Sequence, residues 1–396
     1  SFEAYGATVR LSQIAALVTV GAWILCGWMK KDAPFHFSKT MIPLAVFFGA
    51  VALSFVNAPD TVRSLQVFAF LMFTVGFGLL LPSIVTTKEA LYKICAALFL
   101  SCLVVSLFGL YQFIGDAVGL EREWTGLRPQ YQKEILGFSR VESTALEPLY
   151  FANFLLLPLF LLAAFFLSRK SFDPLPRWVL RLACVAGGAA FILTLARGAY
   201  AGALGGLVAL GIFFRKDIFQ KKLWKPAAGI CAAMFFVAFL FFGPRLGSVF
   251  AHLKTSFSGA AYTERVQTWS IALDAWRAHP ILGIGAGSFG PWAYTYPDVW
   301  KVQGFKIVNN IYLEILAEFG TLGLVSFLAF LFLLGREQWR VAKRSGEGER
   351  WMIAGLFAAF IAVFIQYATF SILYIMHIWF LLGLMMASQY ILKDEV

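Results

Sequence analysis

Residues 263–320 read TERVQTWSIALDAWRAHPILGIGAGSFGPWAYTYPDVWKVQGFKIVNNIYLEILAEFG, the longest part of the chain that does not sit comfortably in lipid. The sequence around it is apolar enough for membrane, so this polar stretch is where chemistry or recognition has to happen. Of the 396 residues 60% are hydrophobic and 14% charged, and the mean hydropathy is +0.75. A soluble globule could not cover that much apolar surface, so the expected fold is an all-α integral membrane protein.

Working outward, the apolar runs predict spans at 11–29, 41–57, 65–85, 92–114, 149–168, 178–196, 199–214, 226–243, 321–335, 351–368 and 373–392. Each is close to the ~20 residues a helix needs to cross hydrocarbon. The chain opens on Ser1 and not on Met, so a trimmed or processed start is expected, with about 11–12 spans in all if one more precedes it. Three blocks follow: 1–243 with the first eight spans and an outer loop at 115–148, a large polar loop at 244–320 carrying amphipathic helices, and 321–396 with the last three spans and a tail.

Charge then orients these spans. The loops at 30–40, 86–93, 169–181, 215–225 and 336–350, with the tail from Lys393, hold 20 Lys and Arg against 9 acids. The opposite side carries 13 of each, so the whole excess of +11 lies on the first set, which the positive-inside rule makes cytoplasmic. Loops 115–148 and 244–320 are therefore expected to face outward. An enzyme built there has no access to ATP or nucleotide sugars and must use a substrate already activated in the membrane. The same asymmetry accounts for the pI of about 9.4 without a nucleic-acid partner.

Few ionisable groups fall inside the spans, which counts against a proton-coupled pump. Arg197 is the nearest exception, in LTLARGAYAGALGG at the outer ends of the sixth and seventh spans. A lone Arg there can simply snorkel to the interface. Its neighbours Gly198, Ala199, Ala201, Gly202, Gly205 and Gly206 either pack helices closely or leave room for a bulky head group beside the guanidinium. A planar, permanently charged fork at such a crevice suits a phosphate or pyrophosphate. In the outer loop, Arg140 is a further candidate for anion contact, and Glu147 before Pro148 reads as a helix start.

In the central stretch, 263–278 carries apolar residues near helical spacing and is expected to form an amphipathic helix that presents Arg265 to the head groups. A second such helix, 308–319, should run into the ninth span. GAGSFG at 285–290 matches G-x-G-x-x-G but follows no strand, so a dinucleotide site is excluded. Its glycines read as a tight turn, with an anion-binding nest as the alternative. His279 reads as a helix-terminal residue, and Glu314 with Glu318 as a solvated helix face. Trp269, Trp276, Trp292, Tyr294, Tyr296 and Trp300 divide between an interfacial belt and surfaces for stacking on sugars. Five cysteines lie in apolar runs without C-x-x-C spacing, and no metal-ligand cluster of the usual spacing is present.

TERVQTW at 263–269, HPILGIGAGSFG at 279–290, NNIYLEILAEFG at 309–320 and LARGA at 195–199, taken in order, resemble the O-antigen ligase and O-antigen polymerase superfamily. These are bacterial inner-membrane glycosyltransferases of the GT-C type, with about a dozen helices and a large periplasmic loop between two late spans. The resemblance implies transfer of a glycan from undecaprenyl pyrophosphate to an acceptor hydroxyl, either a growing glycan or the lipid A core, among membrane lipids. It implies no cofactor and no metal, and it leaves room for a chain-length regulator as partner. Arg197 and Arg265 match the two family arginines held to bind the pyrophosphate. Asn310, Tyr312, Arg140 and His279 are the accompanying candidates for substrate binding. The family motif H-N-x-Y-L has His as a proposed catalytic residue where this chain has Asn309.

Asn cannot accept a proton at neutral pH, so Asn309 could only orient the nucleophile. A base, if one acts, falls to Glu264, Glu314, Glu147 or His279. Loss of the His favours a polymerase over a ligase. The rival from another class, a lipid-linked-glycan transporter or flippase, should show repeat symmetry and midplane functional groups, and neither is visible in the sequence.

Overall fold

The computed structural model describes residues 2–4, 7–9, 11–30, 38–132, 139–168, 172, 174–220, 260–299, 305–346 and 348–393. The expected span at 226–243, along with Lys133, Cys231 and Trp300, lies outside them. Among the described residues, six helices are long and apolar enough to cross a membrane and three shorter apolar ones accompany them. The protein is an all-α, multi-pass membrane protein, with one added pair of antiparallel three-residue strands, β1 (Phe2–Ala4) and β2 (Ala7–Val9).

The helices follow the apolar runs closely. They are α1 (Leu11–Lys30), α2 (Met41–Leu53), α3 (Thr61–Ile84), α4 (Lys88–Ala117), α5 (Arg122–Thr125), α6 (Pro148–Ser168), α7 (Arg177–Leu193), α8 (Arg197–Gln220), α9 (Ala260–Ala278), α10 (Phe289–Ala293), α11 (Ile311–Arg344), α12 (Arg350–Gln366) and α13 (Met376–Lys393). Their outer faces keep apolar side chains exposed, among them Val104, Leu204 and Phe332. Water would penalise such faces, and lipid does not.

The chain divides into two compact units. The first comprises 1–88, 265–343 and 367–396. Here α13 packs on α3 at a pair of glycines: a Cβ on Gly78 would stand 2.6 Å from the Trp379 carbonyl oxygen, and one on Gly383 would stand 2.4 Å from that of Gly78. Trp379 stacks on Phe330 of α11 and donates its indole N–H to the Leu373 carbonyl at 2.7 Å. Gln389 donates to Gln338 at 2.8 Å, joining α13 to α11 with a buried amide pair.

The second unit comprises 89–264 and 344–366. In it α6 and α12 are central, with 67% and 72% of their most apolar stretches buried against 39% for α4 and α8. Asn153 of α6 donates to Gln366 of α12 at 2.9 Å, and both are fully buried. Phe165, Phe172, Trp351 and Tyr92 form an edge-on aromatic cluster at the start of α12. The glycines after Arg197 are consumed here. A Cβ on Gly202 would lie 2.3 Å from the Ala362 carbonyl oxygen, on Gly205 2.2 Å from Ile365 and on Gly206 2.3 Å from Phe160. Of the two readings of this glycine run, helix packing holds at these three positions, because α12 and α6 already fill the space a head group would need.

Gly202→Val should therefore force α8 off α12 and cost about 1–3 kcal/mol by overpacking. Gly211, on the same helix with nothing within 4 Å of an added Cβ, is the control. Gly211→Ala should be neutral or stabilising, by up to about 1 kcal/mol in a helix interior. Thermal unfolding in detergent separates the two, with a lowered midpoint for Gly202→Val alone.

Candidate functional site

In the first unit the central polar stretch folds onto its own small core. Ile271, Ala272 and Ala275 of α9 pack with Ile284, Phe289, Ala293, Val299, Val308 and Ala317, and Trp269, Trp292, Tyr294 and Tyr296 pack around them. These four aromatics, partly buried, support the loop's fold. The turn through Gly283, Gly285 and Gly287, at φ of 71°, 100° and 66°, lies against a break in α11 at Gly320, whose φ is 67°. Space requires glycine at two of these positions: a Cβ on Gly283 would be 2.3 Å from the Glu318 backbone, and one on Gly320 would be 2.2 Å from the Ile281 carbonyl oxygen.

Glu318 corrects two expectations. It is 7% exposed, so it is not part of a solvated face, and its carboxylate accepts the N–H of Gly287 at 2.9 Å and of Phe289 at 3.0 Å. The nest offered by the glycine turn is thus filled by the chain's own carboxyl group. Arg63 at the start of α3 completes the arrangement, donating from Nε to the Gly287 carbonyl at 2.6 Å while its guanidinium lies 3.8 Å from the centre of the Phe305 ring. Nothing in the sequence near Arg63 marked it, because its partners lie more than two hundred residues away.

Asn310 caps α11: its Oδ1 accepts the N–H groups of Tyr312 at 3.1 Å and Leu313 at 3.2 Å. Glu314 reaches back to the Val308 N–H at 3.3 Å, which ties it to the cap. Asn309 sits in the left-handed region at φ 57°. Asn, Asp and His are the side chains most often found there, so backbone conformation by itself accommodates the change from the family's His to Asn. Thr268 of α9 donates to the carbonyls of Arg265 at 2.9 Å and Val308 at 3.2 Å, which brings the turn bearing Arg265 to the residue preceding Asn309. Arg265 is half-buried and Glu264 exposed on the same helix. His279 does not join them. It lies fourteen residues further along, ~20 Å at 1.5 Å per residue, with its ring against Trp292.

The second unit gathers a different set. α7 ends at Thr194, Leu195 turns the chain at φ 51°, and α8 begins with Arg197, which is exposed. Arg140 crosses this junction: its Nε donates to the Thr194 carbonyl at 3.0 Å, and the next residue, Val141, donates its N–H to the Leu193 carbonyl at 3.2 Å. Arg140 and Arg197 are near enough to act on each other electrostatically. Two like charges meeting at the amino end of a 24-residue helix, which is itself positive, make a site suited to an anion.

The loop carrying Arg140 is held from α4. Gln112, fully buried, accepts the Ser143 N–H at 2.8 Å and donates to the Ser143 carbonyl at 3.3 Å, fixing that residue in the left-handed region at φ 52°. One turn further on, Asp116 accepts hydrogen bonds from Gln132 and Ser139. The spacing of Gln112 and Asp116 at the end of an apolar run was the available signal for this support.

Around Arg140 lie two acids. Glu142 is 2% exposed, accepts the Arg128 N–H at 2.9 Å and approaches the Arg128 guanidinium at 3.7 Å. Burial raises its pKa above the usual carboxylate range, against the pull of Arg128. Glu147 lies next to Leu146, whose carbonyl receives a hydrogen bond from the Arg128 guanidinium. Glu147 as a residue is exposed, yet lost hydration at its carboxyl raises the pKa, opposed by Arg140 and then Arg128. The Tyr131 hydroxyl is pushed up to about 12, first by burial and next by the charge of Glu147. Among the described residues no group of three or more His, Cys, Asp or Glu is arranged to hold a metal ion.

Spans, an ordered polar loop and an arginine pair at a helix start describe a membrane protein with a cationic helix start. Comparison with known families gives the class: residues 182–328 match the model of the O-antigen ligase family. The resemblance read from the motifs is borne out over this segment, which runs from α7 into α11 and is similar to that family. No curated protein matches the chain. Arg197, Arg265 and Asn309 fall inside the matched segment, and Arg140 and Glu147 fall outside it.

Two substitutions test the loop. Glu318→Ala leaves the Gly287 and Phe289 amides without their acceptor and should cost a few kcal/mol, at about 1–3 per orphaned buried group, lowering the thermal midpoint. Asn309→Val should destabilise by roughly 1–2 kcal/mol from the left-handed backbone, whereas Asn309→His should fold as well as wild type. Equal midpoints for the Val and His variants would contradict the left-handed assignment.

Proposed function

We propose that the protein is a glycosyltransferase that moves a glycan from undecaprenyl pyrophosphate to an acceptor hydroxyl at the outer face of the inner membrane, in surface-polysaccharide or lipopolysaccharide biosynthesis. The observation that carries this is the convergence of Arg140 and Arg197 at the amino end of α8, in a chain whose 182–328 segment matches the O-antigen ligase family. Pyrophosphate is a good leaving group, and the task is to stabilise the negative charge that grows on it. Two guanidiniums and a helix amino terminus do this without a metal. For Arg265 as a further pyrophosphate ligand, the support is the resemblance and its place inside the matched segment. The side of the membrane is supported by the charge asymmetry of the loops.

The reaction type is a polymerase in this proposal, because Asn309 lacks the proton-accepting ring that the ligase motif carries. The ligase reading, with lipid A core as acceptor, is favoured by the description of the matching family. The two differ only in acceptor, so one experiment separates them. Full-length protein in liposomes is given a lipid-pyrophosphate-linked oligosaccharide in EDTA, with and without lipid A core. Donor-to-donor elongation identifies the polymerase, and product only with the core identifies the ligase. Arg197→Ala, Arg140→Ala and Arg265→Ala should each lower kcat about 10²–10³-fold, as expected on removing one donor to a developing charge. A wild type that consumes no donor with any acceptor, or arginine variants of full activity, would return the transporter reading.

A further inference from the structure

We propose that Glu147 is the general base that takes the proton of the acceptor hydroxyl, an inference that rests on the transferase reading above. The position where the family motif has His is occupied by Asn309, which cannot accept a proton, so the proton needs another destination. The structure narrows the alternatives. Glu314 is committed to the cap of α11 through the Val308 N–H, and Glu318 holds the Gly287 and Phe289 amides. His279 closes the far end of α9 against Trp292, Glu142 is buried on the Arg128 backbone, and Glu264, though exposed, lies on the helix that carries Arg265 and not on the loop that carries Arg140.

Glu147 differs from all of these in being both accessible and placed within the arginine cluster. Its backbone carbonyl accepts the N–H groups of Tyr150 at 3.1 Å and Phe151 at 3.2 Å, which fixes it at the first turn of α6, where that helix enters the apolar layer. The Arg128 guanidinium grips the preceding carbonyl, of Leu146, and Arg140 lies on the same short segment. The groups that act on its carboxyl are Arg140 and Arg128, while Glu142 and Tyr131 feel its charge in turn. An acid so placed is acted on by two cations and stays exposed.

The step balances as a single displacement. The acceptor oxygen forms the bond to the anomeric carbon as its proton passes to a Glu147 carboxylate oxygen. The bond from that carbon to the pyrophosphate oxygen breaks, and its electron pair leaves on the phosphate beside Arg197 and Arg140. The carboxylate must be ionised to act, so activity should fall as pH drops through its pKa. Because that pKa is raised, the acid limb should lie above the ~4.3 of an ordinary glutamate.

The test uses the full-length protein in liposomes with the lipid-pyrophosphate-linked oligosaccharide, comparing wild type, Glu147→Gln and Glu147→Asp across pH. Glu147→Gln should lower kcat about 10²–10⁴-fold, the usual share of a general base, leave the donor KM unchanged and abolish the acid limb. Glu147→Asp should keep a limb at reduced rate. A Glu147→Gln enzyme with wild-type kcat, one that keeps the acid limb, or one that loses rate only through a higher donor KM would overturn the inference. If wild type itself transfers nothing, the failure belongs to the transferase reading and not to the base.

Discussion

In hydrocarbon no water is at hand to satisfy a backbone amide, so a helical chain that crosses it pairs those groups within helices, and departures from helix must find partners in side chains or other backbone. The structure obeys this at every departure described above. Where α4 gives way to the outer loop, Gln112 and Asp116 take up the loop's amides and hydroxyls. Where α11 breaks at Gly320, Glu318 holds the glycine turn lying against it, and the Thr321 N–H finds the Pro280 carbonyl at 2.9 Å. Polar side chains are scarce in this composition, and those at span ends are committed to the backbone of the segments that carry the candidate site.

That economy explains how the two arginine environments differ. Arg63 is tied into the fold: its Nε holds a carbonyl and its face covers Phe305. It works as a structural cation. Arg197 instead begins a helix beside another arginine, where the peptide dipoles add to the repulsion. Arg140 meets the junction through a carbonyl at the carboxyl end of α7, which offsets part of that cost.

The spans were legible because hydropathy is additive over twenty residues, and α1, α4, α6 and α12 begin and end within a few residues of the apolar runs. The helix expected at 263–278 and the one entering the ninth span were legible from apolar spacing, although the second begins at Ile311 and not at 308, because Asn310 caps it. The roles of the glycines and acids were not. Whether Gly202 faces a ligand or Ala362, and whether Glu318 faces water or the amides of Gly287 and Phe289, depends on contacts between distant parts of the chain that no local pattern encodes. For the same reason the sequence offers Arg140 only as a candidate for anion contact, and its place at the start of α8 comes from its bond to the Thr194 carbonyl.

Asn309 shows how a backbone requirement and a chemical one can separate at one position. The φ of 57° restricts the site to residues that tolerate the left-handed region, and His and Asn satisfy that condition alike. They part at the proton, since the imidazole nitrogen has an unperturbed pKa of about 6.5 and an amide has none in reach. A chain can therefore keep the local geometry of the motif while losing its base. On the transferase reading, such a chain survives only if the leaving group is good enough to need no base or if another acceptor of protons stands near the reacting carbon. Pyrophosphate, stabilised by arginine, relaxes the demand on the nucleophile without removing it, because the attacking hydroxyl must still shed a proton of pKa far above 7. The carboxylate best placed to receive it is on the segment that also carries Arg140, so leaving-group stabilisation and proton removal would share one loop, braced on α4 by Gln112 and Asp116.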